Sequence, residues 1–312
     1  MKSHPPDVST ERATGTPSQR DGASRSAPFR ARALAGLITC LAGLLLATTP
    51  LPADDWAPNL TTLAMWHDNA TNAEATVDQI DSLEFAADIV ASQRYSFGRD
   101  DALQLTGHFA GEWWPRYRGL LSGAAGARAA WLHTFGVGRT APVFSAEIGG
   151  DYVETHEGAR SGTAAALTFA LRKRFNDQWR TVLTHQFDRH YARAAVFDVE
   201  ATQTTLELSN DITDVTRLVG SVLYRDGDVV TYSGTTRGEV AAIASADREV
   251  STFDRPMIAY SVNARTWGAK FSVVRALDES TAIIAAYSWR ATEGSPVQFT
   301  NHRASISIVT QF

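Results

Sequence analysis

The sequence predicts an all-β protein, a transmembrane antiparallel up-and-down β-barrel of about twelve strands. From residue 54 onward apolar and polar residues alternate with a period of two, and helical periodicity is almost absent. The alternating segments exceed the usual ~5–6 residues of a soluble strand and reach the ~9–11 residues of a bilayer-crossing one. The turns between them are short at one end and longer at the other, and the last alternating segment closes on Phe312.

The 312 residues suffice for one large domain or two small ones. Residues 1–53 read as a signal peptide with a long polar lead. Met1 to Arg32 is polar and rich in Ser, Arg and Pro. "ALAGLITCLAGLLLA" follows, from Ala33 to Ala47, then "TTPLPADD" with small residues suited to cleavage near Ala53. A basic lead, a short apolar core and a small-residue exit make an export signal, and the core is short for a membrane span. The lead is longer than usual, so the true start stays open, although no Met intervenes before Met65.

The one cysteine, Cys40, lies inside that apolar core. Thr39 precedes it where a lipid-attachment site has a small residue, and the apolar run continues beyond it. A chain cut near Ala53 has no cysteine, which excludes disulfides and thiol chemistry. The leader holds six basic and three acidic groups, so its loss moves the formal net charge from −5 to about −8. No long basic run exists to track phosphates, so no nucleic-acid partner is expected.

The barrel is assigned to residues 54–312. In "SLEFAADIVASQRYSF" Leu83, Phe85, Ile89, Tyr95 and Phe97 point one way, and Glu84, Asp88, Ser92 and Arg94 the other. "ALQLTGHFAGEW" sets Leu103, Leu105, Phe109 and Trp113 against Gln104, Thr106, His108 and Glu112. The alternation continues around Arg128 and Trp131. In "PVFSAEIGGDY" it turns Phe144, Ile148 and Tyr152 outward and Glu147 and Asp151 inward. "TAAALTFALRKRF", "WRTVLTHQFDRHY", "TTLELSNDI", "RLVGSVLYRDG", "KFSVVRAL" and "AIIAAYSWR" extend the series to "NHRASISIVTQF". The segment between Pro256 and Leu277 is too long for one crossing, so it is expected to bulge or to extend above the membrane.

Short turns begin at Phe97, Phe135, Phe175, Ile212 and Leu277, each an apolar residue followed by Gly, Asn, Asp or Thr turn chemistry. Phe312 stands where a sixth would fall. Longer loops are expected near 69–81, 115–120, 154–161, 190–200, 226–255 and 293–299. Trp66, Trp113, Trp114, Tyr152, Trp179, Tyr191, Tyr224, Tyr287 and Trp289 fit interface girdles. A secreted β-sandwich also alternates, but its strands are shorter and its loops need not be asymmetric.

On these features the chain resembles the bacterial outer-membrane β-barrel proteins over nearly all of residues 58–312. The most specific element is "SISIVTQF", with Ile306, Ile308 and Phe312 on the outward face. The resemblance implies that this strand is the insertion signal read by the barrel-assembly machinery. It also implies export to the cell outer membrane of a Gram-negative bacterium, with outer-membrane lipid as the surrounding partner.

Alternation places Glu84, Asp88, Glu112, Glu147, Asp151, Asp188, Glu207 and Asp211 inside, with Arg94, Arg128, Arg172, Arg174, Arg180, Arg217, Arg225, Arg290 and Arg303. The signs nearly balance, whereas a pore selective for one charge carries a single-sign ring. Two functions stay open: a porin-like channel passing small polar solutes, or a closed barrel whose charges pair across the lumen and whose loops form a binding surface.

Catalysis is a distant third, and the chain is read as no enzyme. The twelve-stranded membrane phospholipases place Ser two residues after His, and no mature His here has that neighbour. Rim proteases of the omptin type use Asp-x-Asp and Asp-x-His pairs. Asp188-Arg189-His190 and Asp226-Gly227-Asp228 resemble these, but omptins have ten strands and their pairs face each other across the barrel. No EF-type loop or phosphate-binding glycine loop is present, so no metal or cofactor is expected.

Overall fold

The computed structural model describes residues 56–312, and the leader assigned to residues 1–53 lies outside them. The alternation becomes strands β1 (Ala57–His67), β2 (Ser82–Phe97), β3 (Asp101–Trp113), β4 (Ser122–Thr134), β5 (Val143–Thr155), β6 (Gly162–Arg174) and β7 (Trp179–Ala192). They continue as β8 (Val199–Thr213), β9 (Thr216–Ser233), β10 (Ala246–Val250), β11 (Met257–Ala276), β12 (Thr281–Gly294) and β13 (Val297–Gln311).

Every neighbouring pair is antiparallel. β13 returns to β1, with Thr62 opposite Ile308, and β9 joins β11, with Val222 opposite Ala269. Twelve strands therefore close into a ring and β10 stays outside it. Closure is what lipid demands, because an open edge would leave amide groups with nothing to bond. Side chains on the outer wall meet in rows, such as Ile148, Leu167 and Phe187. The six apolar residues of the short-turn rim, Phe97, Phe135, Phe175, Ile212, Leu277 and Phe312, are between 52% and 66% exposed.

β9 and β11 run to 18 and 20 residues and rise above their neighbours. Their excess edges are covered, as free strand edges must be. β12 lines one edge of β11 from Arg265 downward, and β10 takes over at 257–261, with Ala246 opposite Ser261. β8 ends against Gly227 of β9, and above it the first loop takes its place: Tyr232 N–H donates to Thr71 O (3.1 Å) and Thr231 Oγ1 to Asn72 O (2.6 Å). The expected long crossing at 256–277 is thus an extension rather than a bulge.

Three sequence expectations change. The loop expected at 293–299 is the two-residue turn Ser295-Pro296, because Val297 and Phe299 are core residues packed with Tyr260, Val262 and Val240. The loop expected from 226 starts only after Ser233, since "DGD" is no turn here. Gly227 has φ +144° where β9 crosses β8 closely, and a Cβ there would meet backbone at Glu200 and Ala201. Trp114 is not a girdle residue. It is buried among the loops, its ring 4.9 Å from that of His67.

The loops form a roof with a core of its own. Ile80 of the first loop, Trp114, Tyr117 and Leu120 of the second, Ala159 of the third, Val196 and Phe197 of the fourth, and Val250 and Phe253 of the fifth bury together. Tyr117 and Tyr232 both pack edge-on against Phe253. Polar contacts tie the loops sideways: Arg237 Nη1 donates to Glu74 (2.7 Å) and Thr252 donates to Glu157.

Candidate functional site: the lumen beneath the roof

In each strand the exposed wall residues fix one face as outward, and the charged candidates fall on the other. Glu84, Asp88 and Arg94 face inward from β2, Glu112 from β3, Arg128 from β4, and Glu147 and Asp151 from β5. Arg172 and Arg174 do so from β6, Arg180 from β7, Glu207 from β8, Arg217 from β9, Arg290 from β12 and Arg303 from β13. Ile306 and Ile308 stand on the outer wall, and Phe312 follows β13 beside the β1 start, its N–H donating to Pro58 O (3.0 Å).

These groups are not brought to one point. Near the short turns Asp211 accepts from Arg180 Nη2 and from Arg217 Nε, both at 2.5 Å. Arg172 and Arg174 belong to the same end. At mid-height His108 lies 3.2 Å from Asp151, with Asp88 and Arg128 nearby. Under the roof His67 Nε2 meets Glu84 Oε2 at 2.8 Å, Ser122 donates to Glu112 (3.0 Å), and Arg225 Nη1 donates to Asp188 Oδ2 (3.3 Å).

Charges do not pair across the lumen. Among the described residues every inward ion pair joins strands that are adjacent or one apart, such as β1 with β2, β3 with β5 and β7 with β9. Arg94, Glu112, Arg128 and Arg172 are solvent-exposed although they face inward. A charged group cut off from both water and partner costs several kcal/mol. These four are exposed to solvent and are not cut off in this way.

The two acid pairs at the rim lie on opposite faces of the wall. Asp188 and His190 face the lumen. Asp226 faces outward, accepting from Tyr224 Oη (3.1 Å) with Arg265 3.5 Å away, and Asp228 accepts from the Glu200 N–H (3.1 Å). They do not share a substrate position.

Sequence reasoning missed the His67–Glu84 pair, inward Lys270 and the apolar core of the roof. The signal for the roof was available in Tyr117, Leu120, Val196, Phe197 and Phe253, which are large apolar residues at loop positions. Outside the membrane segments, burial pushes the Tyr117 phenol up, and the hydrogen bond to Glu74, then that to Glu239, holds Arg237 in its charged form.

No family model matches the chain, and no curated protein matches it. Among solved structures, an outer-membrane channel from Pseudomonas putida F1 aligns over 84% of this chain and 97% of its own, with a TM-score of 0.55 and 8% identity. The NanC porin aligns over 81% of this chain and 100% of its own (TM-score 0.45, 4% identity). The KdgM porin aligns over 81% and 99% (TM-score 0.40, 9% identity). The chain has the fold of the bacterial outer-membrane β-barrels, in its twelve-stranded form.

Proposed function

We propose that the protein is a channel of the outer membrane that passes small polar solutes without covalent chemistry. The observation that carries this is the charged, solvent-accessible lumen: Arg128 at mid-height and Glu112 beneath the roof face inward and are exposed, as are Arg94 and Arg172 at the short-turn end. A barrel packed shut would bury such groups in pairs. The roof narrows the outer mouth, so passage depends on the loops. The P. putida protein of the same fold is described as an outer-membrane channel, which agrees with this reading.

The protein reaches the membrane by signal-peptide export, and the barrel-assembly machinery reads its last strand through Ile306, Ile308 and Phe312. Removing Phe312 is expected to lower the amount assembled in the outer membrane, measured by fractionation, without affecting export. The channel itself is tested by refolding residues 54–312 into a planar bilayer. Discrete, ion-dependent conductance steps are expected. A folded but silent barrel favours the second reading, in which the roof is a binding surface, since its loops form a packed structure of their own.

A further inference from the structure

Beneath the roof, charges of the wall form a belt round the lumen, acidic on one side and basic on the other, and Arg160 of the third loop acts on the acidic side at Glu112. One arc is acidic: Asp188 on β7, and Glu84 and Glu112 on β2 and β3. The other is basic: Arg225 on β9, Arg290 on β12 and Arg303 on β13. The carboxylates are engaged locally. Glu84 is held by His67, Glu112 by Ser122 and Asp188 by Arg225.

Two of the arginines have no such partner. Among the described residues neither Arg290 nor Arg303 has a carboxylate within ion-pair distance, and Arg303 Nε is buried without an acceptor. The charged neighbours acting on Arg290 are Arg303 and Arg225, both cations. Arg303 also feels Glu84 and Asp68, at longer range than a contact. The register explains the crowding. Arg290 is opposite Asn301, two residues from Arg303 on the same inward face, and diagonal neighbours of this kind lie roughly 7–8 Å apart. Between Arg225 and Arg290 stands β11, which contributes Gly268, with no side chain, and Thr266, whose hydroxyl is paired with Thr292 Oγ1 at 2.9 Å.

We propose that Arg225, Arg290 and Arg303 form a subsite for the oxyanion group of a small solute, a carboxylate or a phosphate, at the upper end of the lumen. Guanidinium forks match the paired oxygens of these groups, and Arg290 and Arg303 lack a counter-charge until an anion supplies it, with Arg225, shared with Asp188, beside them. The subsite deepens the channel reading, because it names the class of solute the lumen favours, but binding to it does not require conduction.

The test uses refolded residues 54–312 and two readouts. In a planar bilayer under a KCl gradient, the reversal potential is expected to show chloride preferred severalfold. R290Q/R303Q is expected to bring the preference close to unity, while Lys173→Gln, at the short-turn end where Lys173 Nζ donates to Thr140 O (2.8 Å), leaves most of it. In detergent, succinate and inorganic phosphate are expected to raise the unfolding temperature of the wild type saturably, and an uncharged diol of the same size is not. The double variant should lose that response. A conducting barrel whose selectivity and anion response are unchanged in R290Q/R303Q overturns the subsite and leaves the channel. A silent barrel that binds either anion only with the arginines present overturns the channel and keeps the subsite. A silent barrel with no anion response overturns both.

Discussion

The wall and the roof are built by different rules. In the wall each strand offers one face to lipid and one to the lumen, so a two-residue period suffices and the apolar groups buried inside are few and small, such as Ala102, Ala130 and Leu132. The exposed residues Ile148, Leu183 and Leu206 are stable because lipid covers them. In the roof, loop residues bury one another as in a soluble domain, around Phe253, Tyr117 and Phe197. The wall is stabilised by closure and by lipid, the roof by its own packing. They should therefore fail separately.

The largest expected effect is in the roof. Phe253, 3% exposed, touches both Tyr117 and Tyr232, and Phe253→Ala removes a large buried ring at a cost of about 3–5 kcal/mol. The loops should become open to protease at residues 234–256 and the channel noisier, while the folded barrel keeps its gel mobility before heating. Loss of the barrel itself would show that wall and roof fold as one unit. The converse variant is Ile148→Arg, at mid-strand on the lipid face. A charge there should cost about 2–4 kcal/mol in equilibrium unfolding from vesicles, and leave protease resistance of the folded loops as it was.

Gly119→Ala sharpens the comparison with a smaller change. A Cβ at Gly119 would lie 2.6 Å from Thr252 Cα and O, where the second loop rests on the fifth. Overpacking of this sort costs about 1–3 kcal/mol. The expected outcome is faster backbone exchange at residues 115–121 and 250–256, with none in β4 or β5. Uniform exchange changes through the barrel would contradict a separate roof.

The same division governs how much could be read from the sequence. The wall was legible because lipid imposes one repeating constraint. Phe97, Phe135, Phe175, Ile212, Leu277 and Phe312 mark its lower rim, and Glu84, Arg128 and Arg303 follow its inward parity. The roof was not, because its contacts join residues far apart with no period, such as Thr71 with Tyr232 or Glu157 with Thr252. Local cues misled there as well. Gly227 looks like a turn residue and is a close approach between strands, and Trp114 looks like a girdle residue and packs under the loops on His67. The lumen stood between the two cases. Alternation gave the facing of Arg290 and Arg303, but strand order was needed to place them together with Arg225.

The smallest effect is expected at the short turns, where little is buried. Asp278 shows how such a turn is fixed. Its Oδ1 accepts from the N–H groups of Ser280 and Thr281, both at 2.8 Å, and from Ser280 Oγ at 3.0 Å. The Ser280 N–H bond, before the hydroxyl and Thr281 bonds, favours the carboxylate and holds its pKa below the ordinary value of 3.8. A depressed folded-state pKa gives stability that is present in full above the unfolded value and lost as pH falls through the folded one. Protection of the Ser280 and Thr281 amides, measured against their intrinsic exchange rate at each pH, should therefore hold at neutral pH and fall only below the usual carboxylate range. Asp278→Asn keeps an acceptor without the charge, so it should flatten that acid limb while the fold persists. Asp278→Ala should expose both amides at every pH. If the acid limb survives in Asp278→Asn, the turn is held by the strands β11 and β12 above it, and the wall imposes its order down to the last residue of the rim.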